Sequence, residues 1–185
     1  MRIISGTHRG RSIFPPKNLP VRPTTDFAKE SLFNILNNYL DYEGTTVLDL
    51  FCGTGNITYE FLSRGSSSVT CVDMNYQCCA FVKKTAEDIK LPGAKVIKSD
   101  VFSFLRKHSG SYDVIFADPP YELDKIDQIS VIVFEQNLLK ARGWLVVEHG
   151  IHTDLSMQPN FYEKRVYGNV HFSFFTVPQE TDANS

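Results

Sequence analysis

Apolar positions recur along this chain in two rhythms, and the change from one to the other marks its elements. From residue 45 onward, short apolar runs alternate with stretches whose apolar residues stand three or four apart. The runs predict strands at 46–50, 68–73, 94–98, 112–117 and 143–149, and the intervening stretches predict helices at 55–64, 75–90, 101–108 and 125–140. Val114-Ile115-Phe116-Ala117 and Trp144-Leu145-Val146-Val147 are apolar without a break, which suits strands buried on both faces of a parallel sheet. Two aromatic-rich segments, 161–167 and 170–176, are joined by Gly168-Asn169 and predict a closing antiparallel hairpin.

Ahead of this alternation, residues 2–4 and 11–14 flank a glycine-bearing turn and predict a small β-hairpin. Pro15, Pro16, Pro20 and Pro23 hold the chain extended up to Thr24-Thr25-Asp26, a helix start. Ala28, Leu32, Ile35, Leu36, Tyr39 and Leu40 then follow at helical spacing, predicting an amphipathic helix over 26–40. The expected architecture is a doubly wound α/β sheet, mostly parallel with a C-terminal antiparallel hairpin, preceded by an N-terminal hairpin and helix. It divides into an arm at 1–25, a main domain at 26–177 and a frayed polar tail at 178–185.

Composition changes this picture little; charge distribution changes it more. The 185 residues fit one domain, 42% of them are apolar, and no apolar run approaches the roughly 18 residues of a membrane span. With no signal-peptide pattern, a cytoplasmic location is expected. The four cysteines (Cys52, Cys71, Cys78 and Cys79) have no zinc spacing and read as reduced, mostly buried thiols. Net charge is −2, yet residues 1–24 carry Arg2, His8, Arg9, Arg11, Lys17 and Arg22 and no acid. A basic arm on an acidic body concentrates positive field at one end, where it can meet phosphate or simply solvate a hairpin.

Two motifs carry chemistry, each at the carboxyl end of a predicted strand, where ligands of such sheets bind. The first is Val47-Leu48-Asp49-Leu50-Phe51-Cys52-Gly53-Thr54-Gly55-Asn56. Its glycines let backbone turn tightly and approach a ligand. A dinucleotide loop would place a third glycine where Thr58 stands, and Asp49 would repel a pyrophosphate. The same carboxylate suits the ammonium of a methionyl group, so S-adenosylmethionine is favoured over a nicotinamide cofactor. Asp73 ends the next strand, at a position suited to ribose hydroxyls or to a helix cap. Asp100 ends the third, where it could meet an adenine amino group or cap a helix, with Met74 and Phe102 as candidate walls for the ring.

The second motif is Asp118-Pro119-Pro120-Tyr121. Prolines fix φ and remove donors, leaving a rigid turn that presents acceptors. An exocyclic amino group on a base needs such a turn, because its lone pair is delocalised into the ring. The Asp118 carboxylate and the Pro119 carbonyl could hold its two hydrogens, and Tyr121 could stack on the base. Alone, the motif would be a proline turn with a capping Asp; beside the glycine loop it points to methyl transfer onto a planar nitrogen.

Together these motifs resemble the class I S-adenosylmethionine-dependent methyltransferases with a D/N-P-P-Y/F signature. Met1-Arg2-Ile3-Ile4-Ser5-Gly6, Gly10-Arg11, Arg22-Pro23-Thr24-Thr25-Asp26, Leu32-Phe33-Asn34-Ile35-Leu36 and Lys164-Arg165-Val166-Tyr167-Gly168 extend the likeness, over residues 1 to about 177, to the bacterial 16S rRNA guanine-N2 methyltransferase family. The resemblance implies a Rossmann-like fold, S-adenosylmethionine as methyl donor, and one guanine of 16S rRNA or the small ribosomal subunit as target. A monomer that uses no metal and no membrane is expected. Catalysis would fall to Asp118, Pro119 and Tyr121, and cofactor binding to Asp49, Phe51, Gly53, Gly55, Asp73, Met74, Asp100 and Val101. RNA would be gripped by Arg9, Arg11 and Arg22. One departure is Phe27, where the family usually has a basic residue.

Three alternatives remain at this point. An adenine-N6 DNA methyltransferase uses the same tetrapeptide but would need a larger target-reading region. A protein-glutamine methyltransferase would carry Asn at position 118. A non-catalytic RNA-binding or ribosome-assembly protein would tolerate loss of Asp118 or Tyr121. His149, at the end of the fifth core strand beside Glu148, reads as a structural histidine or a pocket wall.

Overall fold

The computed structural model describes residues 1–17, 19 and 25–177. Arg22, with its neighbours Pro20, Pro23 and Thr24, lies outside the described residues, as does the predicted tail at 178–185. Seven strands form a sheet of order β3-β2-β1-β4-β5-β7-β6, numbered along the chain, and the doubly wound, mostly parallel fold expected from the sequence is borne out. The chain makes two compact units, Met1–Val101 and Phe102–Ser185.

In the first unit, β1 (Thr46–Leu50), β2 (Ser68–Asp73) and β3 (Ala94–Lys98) run parallel, with Val47 opposite Val69 and Val69 opposite Ala94. Their connections are α2 (Asn56–Ser63) and α3 (Tyr76–Asp88). The first helix, α1 (Asp26–Leu36), starts as expected: the Thr25 hydroxyl accepts from the Ala28 amide at 3.2 Å. It ends four residues before the predicted Leu40. Asn37 and Asn38 are poor helix formers, and the amides of Asn38 and Tyr39 bond three residues back instead of four, tightening and closing the last turn.

Helix α2 is buried at all eight positions, because the N-terminal segment lies along it. That segment is less regular than the predicted hairpin: one bridge pairs Arg2 with Ser12, and Ile3 and Ile13 point into the core. The amides of Ile3, Gly10 and Ile13 bond across the segment to the carbonyls of Arg11, Ile3 and Met1, while those of Ile4, Ser5 and Thr7 turn to α2. The Glu60 carboxylate accepts from the amides of Ile4 (2.8 Å) and Ser5 (3.0 Å), and the Ser63 carbonyl accepts from the Thr7 amide at 2.8 Å. At Gly6, with φ +81°, a Cβ would fall 1.7 Å from the Ser63 carbonyl oxygen, so the approach requires glycine. Beneath this contact, fully buried Lys29 meets Glu60 at 3.3 Å and donates to Asn56 at 2.8 Å. Burial lowers the Lys29 pKa despite the partially restoring pull of Glu60.

The second unit holds most of α4 (Val101–Lys107), then β4 (Tyr112–Ala117), α5 (Asp127–Glu135), β5 (Leu139–His149), β6 (Phe161–Tyr167) and β7 (Val170–Thr176). β4 and β5 are parallel; β5, β7 and β6 are antiparallel. Helix α5 stops at Glu135 rather than at the predicted residue 140. Asn137 takes a left-handed φ of 52° and the Leu138 amide bonds back to the Val133 carbonyl, a capping motif that glycine or asparagine permits. The residues so released begin β5 at Leu139 instead of 143, where Lys140 pairs with Asp113 at 2.8 Å. Among the described residues, no helix is long and apolar enough to cross a membrane. The four cysteines are free and buried.

Candidate active site

The first unit gathers the acid and glycine residues at the carboxyl ends of β1 and β2. Gly55 caps α2 at φ +79°, and a Cβ there would lie 2.9 Å from the Tyr59 ring, so both its conformation and its space exclude a side chain. Asp73 ties the loop down: its Oδ2 accepts from the Gly53 amide at 2.9 Å and its Oδ1 from the Asn75 amide at 2.7 Å. Its own carbonyl accepts from the Ser99 amide at 3.0 Å, bringing the turn before Asp100 alongside. Asp73 therefore organises the loop, and its carboxylate has further lone pairs for a ligand.

Asp49 is 2% exposed. Thr58, the residue standing where a third glycine would be, donates its hydroxyl to Asp49 Oδ2. Burial pushes the Asp49 carboxyl up to about 7; the Thr58 bonds oppose this and nearby Asp73 adds to it. A buried carboxyl held by Thr58 and short of a counter-charge fits a cationic ligand group and disfavours a phosphate. Of the other expected cofactor residues, Phe51 is half-buried with φ 58°, Met74 and Asp100 are exposed, and Val101 is buried.

In the second unit, Asp118 and Tyr121 are half-buried and Pro119 is buried, directly after β4. The turn closes through the Leu123 amide on the Pro120 carbonyl at 2.9 Å. The Tyr121 hydroxyl donates to Glu148 Oε1 at 2.9 Å, and its ring lies against the backbone of Gly150, where a Cβ would be 2.9 Å from Tyr121 Cδ2. Glu148 is 4% exposed; burial pushes its carboxyl up to about 7, which the Tyr121 bond opposes. A cleft of about 500 Å³ beside Tyr121 is lined by Glu122, Asp124, Asp127, Asp154 and Gln158 among others. Four carboxylates make it an unfavourable seat for phosphate.

His149 is fully buried, its ring nitrogens engaged by the Gly150 carbonyl (3.0 Å) and the Ser173 hydroxyl (2.8 Å). It is a structural histidine. Arg9 and Arg11 are exposed on the N-terminal segment. Among the described residues, no three His, Cys, Asp or Glu side chains group to hold a metal ion. Sequence reasoning missed Glu148, Lys29 and Glu60 as members of buried networks. The available signal was a lone charge inside an apolar run, as in Trp144-Leu145-Val146-Val147-Glu148.

Comparison with known proteins gives three findings. The protein described as ribosomal RNA small subunit methyltransferase D of Escherichia coli K12 is 31% identical over 195 residues, spanning 100% of this chain and 94% of that protein. A solved structure of a hypothetical protein from Thermus thermophilus superposes with a TM-score of 0.82 at 26% identity, covering 96% of this chain and 99% of that one. The Thermus thermophilus 16S rRNA N2 methyltransferase, solved with AdoMet and guanosine, shares the fold at a TM-score of 0.69 and 20% identity, over 86% of this chain and 45% of that one. The family model described as conserved hypothetical protein 95 matches residues 1–176, and the chain belongs to that family, together with the small subunit rRNA methyltransferases D.

Proposed function

We propose that this protein transfers a methyl group from S-adenosylmethionine to the exocyclic 2-amino group of one guanine in 16S rRNA, acting as a cytoplasmic monomer. The observation that carries the reading is the Asp118-Pro119-Pro120-Tyr121 turn at the end of β4, rigid, half-buried and rich in acceptors. S-adenosylmethionine supplies an electrophilic methyl carbon on a sulfonium sulfur. Asp49 meets the ammonium of the donor, Asp73 its ribose hydroxyls and Asp100 its adenine amino group, with Phe51, Gly53, Gly55, Met74 and Val101 as the surrounding wall. Asp118 and the Pro119 carbonyl accept the two hydrogens of the guanine amine and turn its lone pair toward the methyl carbon. As the N–C bond forms and the S–C bond breaks, the amine loses a proton to Asp118 and then to solvent. Tyr121 stacks on the base, which must leave its helix to be reached. Proximity and alignment supply most of the rate.

Homology supports this reading, since the Escherichia coli relative is named for small subunit rRNA methylation. The 16S rRNA N2 methyltransferase of the same fold binds AdoMet and guanosine. The test is mass spectrometry of 16S rRNA nucleosides from a strain lacking this chain. One N2-methylguanosine should be missing, and it should be restored by the purified protein but not by Asp118→Ala. An unchanged nucleoside profile, or loss of N6-methyladenine from DNA instead, would overturn the proposal.

A further inference from the structure

Glu148 sits at the end of β5 and is 4% exposed. Oε1 accepts from the Tyr121 hydroxyl at 2.9 Å, while Oε2 has no hydrogen-bond partner. As packing this is a poor choice. A buried carboxyl with one unsatisfied oxygen costs more than a single hydrogen bond returns, and an apolar side chain of similar size would be more stable there. What the arrangement achieves is a fixed ring. Tyr121 is held at its hydroxyl by Glu148, and its ring lies against Gly150, which together restrain its orientation. An unpinned aromatic could still stack on a base, but in a spread of planes.

We infer that Glu148 is a positioning residue which, through the Tyr121 hydroxyl, sets the plane on which the target guanine stacks. The inference rests on the proposed function and extends it to a residue outside the tetrapeptide. It gives the hydroxyl of Tyr121 a task that stacking alone would leave to any aromatic ring. The in-line approach of amine to methyl carbon tolerates little misalignment, so a freed ring lowers turnover more than it weakens RNA binding.

The experiment compares wild type, Glu148→Ala, Glu148→Gln, Tyr121→Phe and the Glu148→Ala/Tyr121→Phe double variant. Methyl transfer to 16S rRNA is measured, with cofactor binding by calorimetry as the folding control. Glu148→Ala and Tyr121→Phe should each lower kcat by about tenfold or more with KM for RNA changed less, and the double variant should be no worse than either. Glu148→Gln keeps an acceptor carbonyl and should recover most of the loss, but only while Tyr121 retains its hydroxyl. Full turnover by Glu148→Ala, or multiplicative losses in the double variant, would overturn the inference. No transfer by wild type would count against the proposed function instead. Urea unfolding of the same variants would then decide the pair, additive losses refuting it and coupled losses sustaining it.

Discussion

At the scale of single residues, the centre of interest is a carboxyl that burial has made hard to ionise. Asp49 titrates near 7 in the folded chain against an ordinary value near 3.8. The protonated form is thus favoured by folding. This group's contribution to stability is full below its unfolded value and is lost as pH rises through about 7. A ligand ammonium reverses the preference, because it pairs only with the ionised form. Cofactor binding near pH 6 to 7 should therefore release a proton from Asp49, and affinity should fall as pH drops below that range. Calorimetry in two buffers of different ionisation enthalpy would show a difference in observed heat, and Asp49→Asn should remove it. Equal heats in both buffers for the wild type would refute the ammonium assignment.

Elements show where sequence is a sufficient guide. Strands β1 to β4 and the β6–β7 pair begin and end where the pattern of the sequence places them. The junction of α5 and β5 misleads, because helical periodicity continues past Asn137 in the sequence but not in the fold. Glu148 reads from sequence only as a neighbour of His149. Nothing local shows that a glutamate will meet a tyrosine from another strand's loop. Docking of the N-terminal segment on α2 is equally illegible, because that contact is made by backbone amides, which no side-chain pattern reports. Two glycines of this segment allow a test. Gly6 and Gly10 share a left-handed φ, +81° and +83°, but only Gly6 faces a backbone atom. Gly10→Ala should cost the conformational strain alone, about 1–3 kcal/mol, whereas Gly6→Ala must also displace the segment from Ser63 and should cost clearly more. Equal midpoints in urea unfolding would show that the close approach to Ser63 is not retained in solution.

For the whole molecule, the question is how a chain of net charge −2 meets a polyanion. Its cleft beside Tyr121 is acidic, so phosphate must be met elsewhere, and the exposed Arg9 and Arg11 lie in the acid-free N-terminal stretch. Arginine suits the task, being always charged and able to bind phosphate bidentately. Removing one arginine–phosphate pair should reduce the slope of log affinity against log salt by roughly 0.7–0.9. An Arg9→Ala/Arg11→Ala variant should accordingly bind 16S rRNA more weakly and with a shallower slope, while its cofactor affinity stays unchanged. Superimposable salt titrations would mean that these arginines only solvate the turn.

The stapling of residues 4–8 to α2 bears on that encounter in another way. Basic tails that wander freely must be ordered by the nucleic acid they meet, and each immobilised residue subtracts from the affinity. Here the Arg9 amide is already bonded to the Gly6 carbonyl and the Arg11 amide to that of His8, on a segment whose neighbours are fixed to a buried helix. The backbone beneath both arginines therefore loses its freedom when the chain folds rather than when RNA arrives. Were the two arginines to grip RNA phosphates, binding would leave only their side chains to be ordered, and a small patch of charge could hold a large partner without a long tail.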